Sequence, residues 1–283
     1  MKVYTISQDI IKVIEGFKAG DKNIGFVPTM GALHRGHLAL VEEALLANDF
    51  VVVSIFVNPT QFDNQDDLHN YPQTLDQDLT LLKSVSTNRI IVFAPTVKTL
   101  YQKQTKSDHF DFDGLDLEME GKFRIGHFDG VGTIVKKLLH IIEPDRAYFG
   151  EKDFQQLQII KKLVEKHLIT TEIIGCKIYR ETSGLAMSSR NERLEEPYKK
   201  EAPFIYKILK AAKVKFGTDN AASVTQWVIN EFKNNEFLQL EYFTISDEQT
   251  LKPITKKLKN NKYRAFIAVY AGKLRLIDNI ALN

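Results

Sequence analysis

A single cysteine, Cys176, stands among 283 residues, so neither an intramolecular disulfide nor a thiolate-rich zinc site can form. That scarcity points to a reducing compartment. A strong charge of either sign is missing as well. The 38 basic against 36 acidic side chains leave a formal charge of +2, without the basic excess of a nucleic-acid binder. Long apolar runs are also absent: the longest, residues 50–57, is broken by Ser54 and is far too short to span a bilayer. The first residues show no apolar stretch followed by a small-residue cleavage site. No internal repeat, low-complexity tract or long linker is visible. These absences point to a cytoplasmic protein that engages neither membrane nor nucleic acid. What remains is ordinary for a globular chain, with 43% hydrophobic and 26% charged residues. The length suits one large domain or two smaller ones.

Up to about residue 180, short apolar runs alternate with amphipathic stretches. Residues 24–28, 50–57, 90–93, 147–149 and 172–178 are β-branched and aromatic. Several lack alternation, as strands buried on both faces do. Residues 38–47, 75–82, 131–142 and 155–166 have helical spacing. Strand and helix in turn predict a parallel sheet with crossover helices, an α/β class. Beyond residue 180 the order changes. A long helix is expected after Pro197, kinked at Pro203, and another over 223–232. Strands follow at 240–245, 265–271 and 274–277, the last two joined by a tight Ala271-Gly272-Lys273 turn. This predicts a small α+β domain. Residues 1–190 hold 22 basic and 25 acidic side chains, and residues 191–283 hold 16 and 11. A basic second domain suits an anionic ligand held by the first; an ordinary solvated surface reads the same way.

Two nucleotide motifs start and fail. Gly31-Ala-Leu-His-Arg-Gly36 has P-loop spacing, but His37-Leu38 replaces Lys-Ser/Thr. Gly130-Val-Gly132 opens a dinucleotide fingerprint, but Val135 replaces its third glycine. The first segment still follows a buried strand and opens a helix, whose free N–H groups and partial positive charge attract phosphate. His34 and His37, three apart, share one side of that helix. Their imidazoles can donate to phosphate oxygens, and an imidazolium can offset charge that develops during phosphoryl or nucleotidyl transfer. Two surface histidines capping a turn are the plain alternative. The strand, both glycines and the spacing together favour phosphate. A metal site lacks a third ligand nearby.

Gly150-Glu151-Lys152-Asp153 follows the 147–149 strand, where open α/β sheets bind ligands. Lys152 suits phosphates; Asp153 suits Mg²⁺ or a ribose hydroxyl. A solvated turn is the alternative. In Met187-Ser188-Ser189-Arg190, two hydroxyls and a guanidinium suit a triphosphate, while Ser189 and Glu192 also read as a capping box. Asn58 and Gln61, in Val57-Asn-Pro-Thr-Gln-Phe62, are neutral amides suited to a small polar substrate, or part of a Pro-directed turn.

Six segments, in order along the chain, resemble the pantothenate synthetase (pantoate–β-alanine ligase) family. They are Pro28-Thr-Met-Gly-Ala-Leu-His-Arg-Gly-His37, Ser54-Ile-Phe-Val-Asn-Pro-Thr-Gln-Phe62, Gly126-His-Phe-Asp-Gly130, Phe149-Gly-Glu-Lys-Asp-Phe-Gln-Gln156, Gly184-Leu-Ala-Met-Ser-Ser-Arg-Asn191 and Arg275-Leu-Ile-Asp-Asn279. The resemblance implies a Rossmann-like nucleotide- and pantoate-binding domain over 1–178, a C-terminal lid over 179–283 and a homodimer. It implies that ATP and pantoate give pantoyl adenylate and pyrophosphate, and that β-alanine then attacks to give pantothenate and AMP. Carried over by position, Met30, Gly31, Ala32, Leu33, His34, Arg35, Gly36 and His37 would line the ATP site, with both histidines on the phosphates. Lys152, Met187, Ser188, Ser189 and Arg190 would border or hold the triphosphate. Gly150, Glu151 and Asp153 would flank the nucleotide, and Tyr179 would contact adenine through its backbone. Gln61 and Gln156 would hold pantoate, with Gln61 also near β-alanine. Asp78 would be a carboxylate associated with Mg²⁺. Ser183-Gly184 stands where the family has Asp-Gly, Tyr101-Gln102 where it has Tyr-Pro, and Gln77 and Leu81 where some members have polar residues near the metal.

The chemistry agrees independently. An amine cannot attack a carboxylate at neutral pH until adenylation supplies a leaving group, and no covalent nucleophile is needed. A nucleotidyltransferase that releases a dinucleotide is one rival, though a phosphorylated acceptor would call for Arg or Lys where Gln61 and Gln156 stand. A non-catalytic nucleotide-binding module is the other, and the intact His37, Lys152 and Arg190 argue against it.

Overall fold

The computed structural model describes residues 1–62, 65–102 and 104–283. Its contacts divide the chain into two compact units. The first comprises Met1–Glu151 and Gln156–Lys177, the second Lys152–Gln155 and Ile178–Asn283.

The first unit is built on six strands: β1 (Lys2–Tyr4), β2 (Ile24–Thr29), β3 (Phe50–Ile55), β4 (Ile90–Phe93), β5 (Arg146–Gly150) and β6 (Glu172–Cys176). They form one sheet in the order β1-β4-β3-β2-β5-β6, with every pairing parallel. The expected α/β, Rossmann-like class holds. β3 and β4 are mostly apolar without alternation, as strands buried on both faces are, and β4 is apolar throughout. Val27, Val51, Val53, Ile90 and Val92 pack with Leu38, Val41, Ala44 and Leu82 from the helices Arg35–Ala47 and Leu75–Val85. The helices His127–Ile142 and Phe154–Lys166 complete the crossovers expected in that region. The edge strand β1, the helix Ser7–Lys18 and the short helices Gln65–His69, Val97–Tyr101 and Glu120–Phe123 were not anticipated. β1 spans three residues, too few to show a period.

The strand order matters for function. From β2 the chain winds one way through β3 and β4, then returns to place β5 on the other side of β2. Loops leaving the carboxyl ends of β2 and β5 flank this switch point, where doubly wound sheets bind ligands.

The second unit carries the antiparallel strands β7 (Leu238–Asp247), β8 (Tyr263–Ala271) and β9 (Leu274–Ala281). The tight β8–β9 turn holds, with Gly272 at φ +60°. Ile205, Ile208, Leu209, Val224, Val228 and Phe232 from two helices pack on Ile245, Ile267 and Val269 of the sheet. Pro203 does more than kink a helix. The helix Glu196–Glu201 ends before it and Phe204–Thr218 begins after it, because proline has no N–H to continue the ladder.

Candidate functional site

β2 ends in Thr29, whose hydroxyl donates to Ser54 O at 2.7 Å and accepts from Gly31 N at 3.2 Å. The chain then turns through positive φ at Gly31 (+84°) and Ala32 (+48°). Glycine adopts this geometry freely, but Ala32 needs external support. Asp78 supplies it from the helix Leu75–Val85. Its carboxylate accepts from Leu33 N at 2.7 Å and Ala32 N at 3.2 Å, and Thr74 Oγ1 donates to it at 3.2 Å. Asp78 is 1% exposed. Burial raises its pKa above the usual carboxylate range, outweighing the opposite pull of those three hydrogen bonds. The residue expected beside magnesium is thus engaged with the turn.

The helix Arg35–Ala47 opens next, with His34 at its N-cap. His34 Nδ1 accepts from Gly36 N at 3.1 Å, and His37 Nδ1 accepts from His34 N at 3.3 Å. The rings stack with centroids 4.0 Å apart. An Nδ1 that accepts a backbone N–H carries no proton, so each neutral ring bears its hydrogen on Nε2. Both histidines are therefore caps and Nε2–H donors at once. Of the two roles read from the sequence, donation from Nε2–H is the one these contacts leave open directly. Met30 and Arg35 belong to the same segment, and Arg35 Nη1 pairs with Glu42 at 3.1 Å.

After β3, Pro59–Gln61 form a one-turn 3-10 helix. Asn58, buried to 1%, donates through Nδ2 to Gly130 O at 3.1 Å and to Gln61 Oε1 at 3.2 Å. Gln61 Nε2 lies 2.8 Å from Met30 Sδ, which brings the loops after β2 and β3 together. His127 Nδ1 lies 2.7 Å from Gln61 O, and Arg124 Nη2 donates to the same oxygen at 3.3 Å. Gly130 permits this approach: a Cβ there would sit 2.2 Å from Thr60 O and 2.8 Å from Gln61 Cα. Sequence reasoning gave no role to His127, Gly130 or Tyr101. The Gly126–Gly130 motif was the available signal for the first two. Gly150 closes β5 opposite Cys176 of β6, Glu151 opens the following 3-10 turn, and Gln156 lies on the helix Phe154–Lys166. Burial pushes the Cys176 thiol pKa far up, so it is no nucleophile.

In the second unit, Lys152 and Asp153 share a 3-10 turn, with Nζ 3.6 Å from the Asp153 carboxylate. Asn279 Nδ2 donates to Lys152 O at 2.9 Å, while Arg264 Nη1 donates to Asn279 Oδ1 at 2.7 Å. Arg180 meets Asp278 with two bonds, 2.7 and 2.9 Å, and donates to Gly184 O at 3.1 Å. The Arg275–Asn279 segment thus ties down both the Lys152 turn and the start of the 184–190 loop. Met187 N donates to Tyr179 O at 3.0 Å, and the buried Asn191 anchors the loop to Glu181 and Ala186 O. Ser188 Oγ accepts from Arg190 N at 3.3 Å. The capping box expected from Ser189 and Glu192 does not form. Only a 3-10 turn, Asn191–Arg193, starts there, with Arg190 at its N-cap and no side-chain cap.

The family model for pantoate-beta-alanine ligase matches residues 2–281. The chain belongs to that family. It is an amide-forming ligase, as its six segments led us to expect, joining pantoate to β-alanine. Pantothenate synthetases of Christiangramia forsetii and Flavobacterium psychrophilum are 57% and 55% identical to it, each covering all of both chains. The crystal structure of the pantothenate synthetase from Thermus thermophilus matches with a TM-score of 0.91 at 35% identity, over 100% of this chain and 99% of that one. The ligase from Francisella tularensis, complexed with beta-gamma ATP and β-alanine, matches with a TM-score of 0.80 at 37% identity, over 100% and 98%.

Proposed function

We infer that this ligase works through pantoyl adenylate, with the roles divided between its two units. In the first unit, Met30 to His37 receive ATP, and the Nε2–H groups of His34 and His37 donate to its phosphates. Gln61 and Gln156 hold pantoate, and Gln61 also borders the β-alanine position. Gly150 and Glu151 flank the nucleotide. In the second unit, Lys152, Ser188, Ser189 and Arg190 hold the triphosphate, with Asp153, Tyr179 and Met187 around the nucleoside. A pantoate carboxylate oxygen attacks the α-phosphorus, and the bond to the bridging oxygen breaks to release pyrophosphate. The amine of β-alanine then attacks the acyl carbon. The C–O bond breaks, AMP leaves with one former carboxylate oxygen, and the nitrogen gives up a proton. Catalysis rests on positioning and on donors aimed at developing charge.

The observation that carries this reading is the loop pair after β2 and β3. Two Nε2–H donors start a helix, and the neutral Gln61 amide lies against Met30 of the same loop. Magnesium, which spreads phosphate charge, belongs on the nucleotide. Among the described residues no group of three or more His, Cys, Asp or Glu is arranged for a metal, and Asp78 is occupied by the turn. Mg²⁺ bound through substrate phosphates needs only one or two protein carboxylates, and Asp153, half-exposed beside Lys152, would be one.

The second unit serves as a lid, with its hinge at residues 177–184, where the two units divide. Two copies of the chain pair as a homodimer. The site of action is the cytoplasm; no described helix is long and apolar enough to cross a membrane.

The test supplies ATP, β-alanine and pantoate carrying ¹⁸O in its carboxylate. Pantothenate and AMP form, and AMP carries one label. Label in inorganic phosphate, with ADP as product, overturns the adenylate route.

A further inference from the structure

Tyr101 ends the helix Val97–Tyr101 and is 6% exposed. Its hydroxyl lies 2.6 Å from Asn58 Oδ1 and 2.9 Å from Thr60 Oγ1. Thr60 Oγ1 also donates to Asn58 Oδ1 at 3.2 Å. An amide can be placed either way round, and its partners decide which. Two hydroxyls point at one end of Asn58, and a carbonyl, Gly130 O, accepts from the other. Oδ1 therefore faces Tyr101, and Nδ2 faces Gly130 O and Gln61 Oε1. This settles the next amide as well. With Oε1 held by Asn58, Gln61 must turn its NH₂ away, and it rests 2.8 Å from Met30 Sδ. A thioether is a weak acceptor. A substrate oxygen in its place makes the stronger bond.

We propose that Tyr101 is a positioning residue which, through Asn58, fixes Gln61 as a hydrogen-bond donor and so selects an acceptor oxygen of pantoate. This rests on the assignment of Gln61 to pantoate. The three side chains form a relay from the edge of the β4 loop to the β3 loop, entirely within the first unit. Burial raises the Tyr101 phenol further above its ordinary range, so the hydroxyl keeps its proton and stays a donor. Without that donor, Asn58 Oδ1 keeps only the longer Thr60 bond. Asn58, held now by Gly130 O and Thr60 alone, loses its fixed tilt and its bond to Gln61 Oε1 weakens; a freed Gln61 can then present Oε1 to the pantoate carboxylate, acceptor against acceptor.

The test is Tyr101→Phe, which keeps the ring and removes one hydroxyl. KM for pantoate rises about tenfold, the scale of one hydrogen bond, while KM for ATP and the unfolding temperature stay near wild type. In a Gln61→Ala background the same change is silent, because the relay has lost its end point. Asn58→Asp is the second variant. The new carboxylate still accepts from Tyr101 and Thr60 but cannot donate to Gln61, and KM for pantoate rises more than in Tyr101→Phe. An unchanged KM for pantoate in Tyr101→Phe overturns the proposal. So does a tenfold effect that persists without Gln61, which makes Tyr101 independent of it. If Gln61→Ala alone leaves KM for pantoate at the wild-type value, the pantoate assignment itself fails and the relay falls with it.

Discussion

The two histidines at the start of the Arg35–Ala47 helix cap it and are proposed to donate to phosphate, and the two roles can be separated. Nδ1 accepts a backbone N–H, and Nε2–H is the donor assigned to phosphate. Alanine removes both functions. Asparagine removes only one, because its side-chain oxygen falls near the place of Nδ1 and can take over the amide contact. At His34, which is an N-cap with extended φ and ψ, asparagine is among the preferred residues. Losing a cap contact costs about 1 kcal/mol. The 3.3 Å contact of His37 belongs at the low end of the range, and the 3.1 Å contact of His34 nearer its middle. For a domain of this size that is a fall in unfolding temperature of roughly 2–4 °C. Losing a donor aimed at transition-state charge costs about 3–4 kcal/mol of barrier, a factor of about 10²–10³. His34→Ala and His37→Ala should therefore lose both stability and rate, while His34→Asn and His37→Asn keep their stability and lose only the rate. Single-turnover pyrophosphate release and thermal unfolding by circular dichroism measure the two separately. Asparagine variants that release pyrophosphate within twofold of wild type would show that the rings are helix caps and nothing more.

Gly130→Ala forces a methyl group to within 2.2 Å of Thr60 O, a backbone atom that cannot rotate away. The variant should lose about 1–3 kcal/mol of stability and bind pantoate more weakly as Gln61 is displaced. Calorimetry and a pantoate titration check this, and wild-type values in both remove the packing argument. The lid reading makes a further demand, since a ligand shifts a conformational equilibrium only through contacts it makes in one state. Arg190→Ala should weaken ATP binding and also abolish any ATP-dependent change in distance between fluorophores placed on the two units. A wild-type distance that ignores ATP refutes the lid.

Much of the first unit was legible in the chain because its signals are local. A strand buried on both faces writes itself as an apolar run, as residues 90–93 do, and a crossover helix as a 3.6-residue period. Motifs at the carboxyl ends of neighbouring strands come together when the sheet is parallel, as the segments around Met30 and Gln61 do. Elements too short to show a period escaped, as the strand Lys2–Tyr4 did. So did a single 3-10 turn that resembled a capping box at Ser189. What a given side chain faces was decided only by tertiary structure. Asp78 supports Ala32 and Leu33 from 45 residues away or more. Tyr101 bonds Asn58 across 43 residues, and Gly130 makes room for Thr60. The Lys152 turn is tied to Asn279 across 127 residues, so it groups with the second unit although β5 leads directly into it. Hydrogen-bond direction, amide orientation and imidazole tautomer depend on partners brought together by the packed sheet, and a partner distant in sequence leaves no period behind.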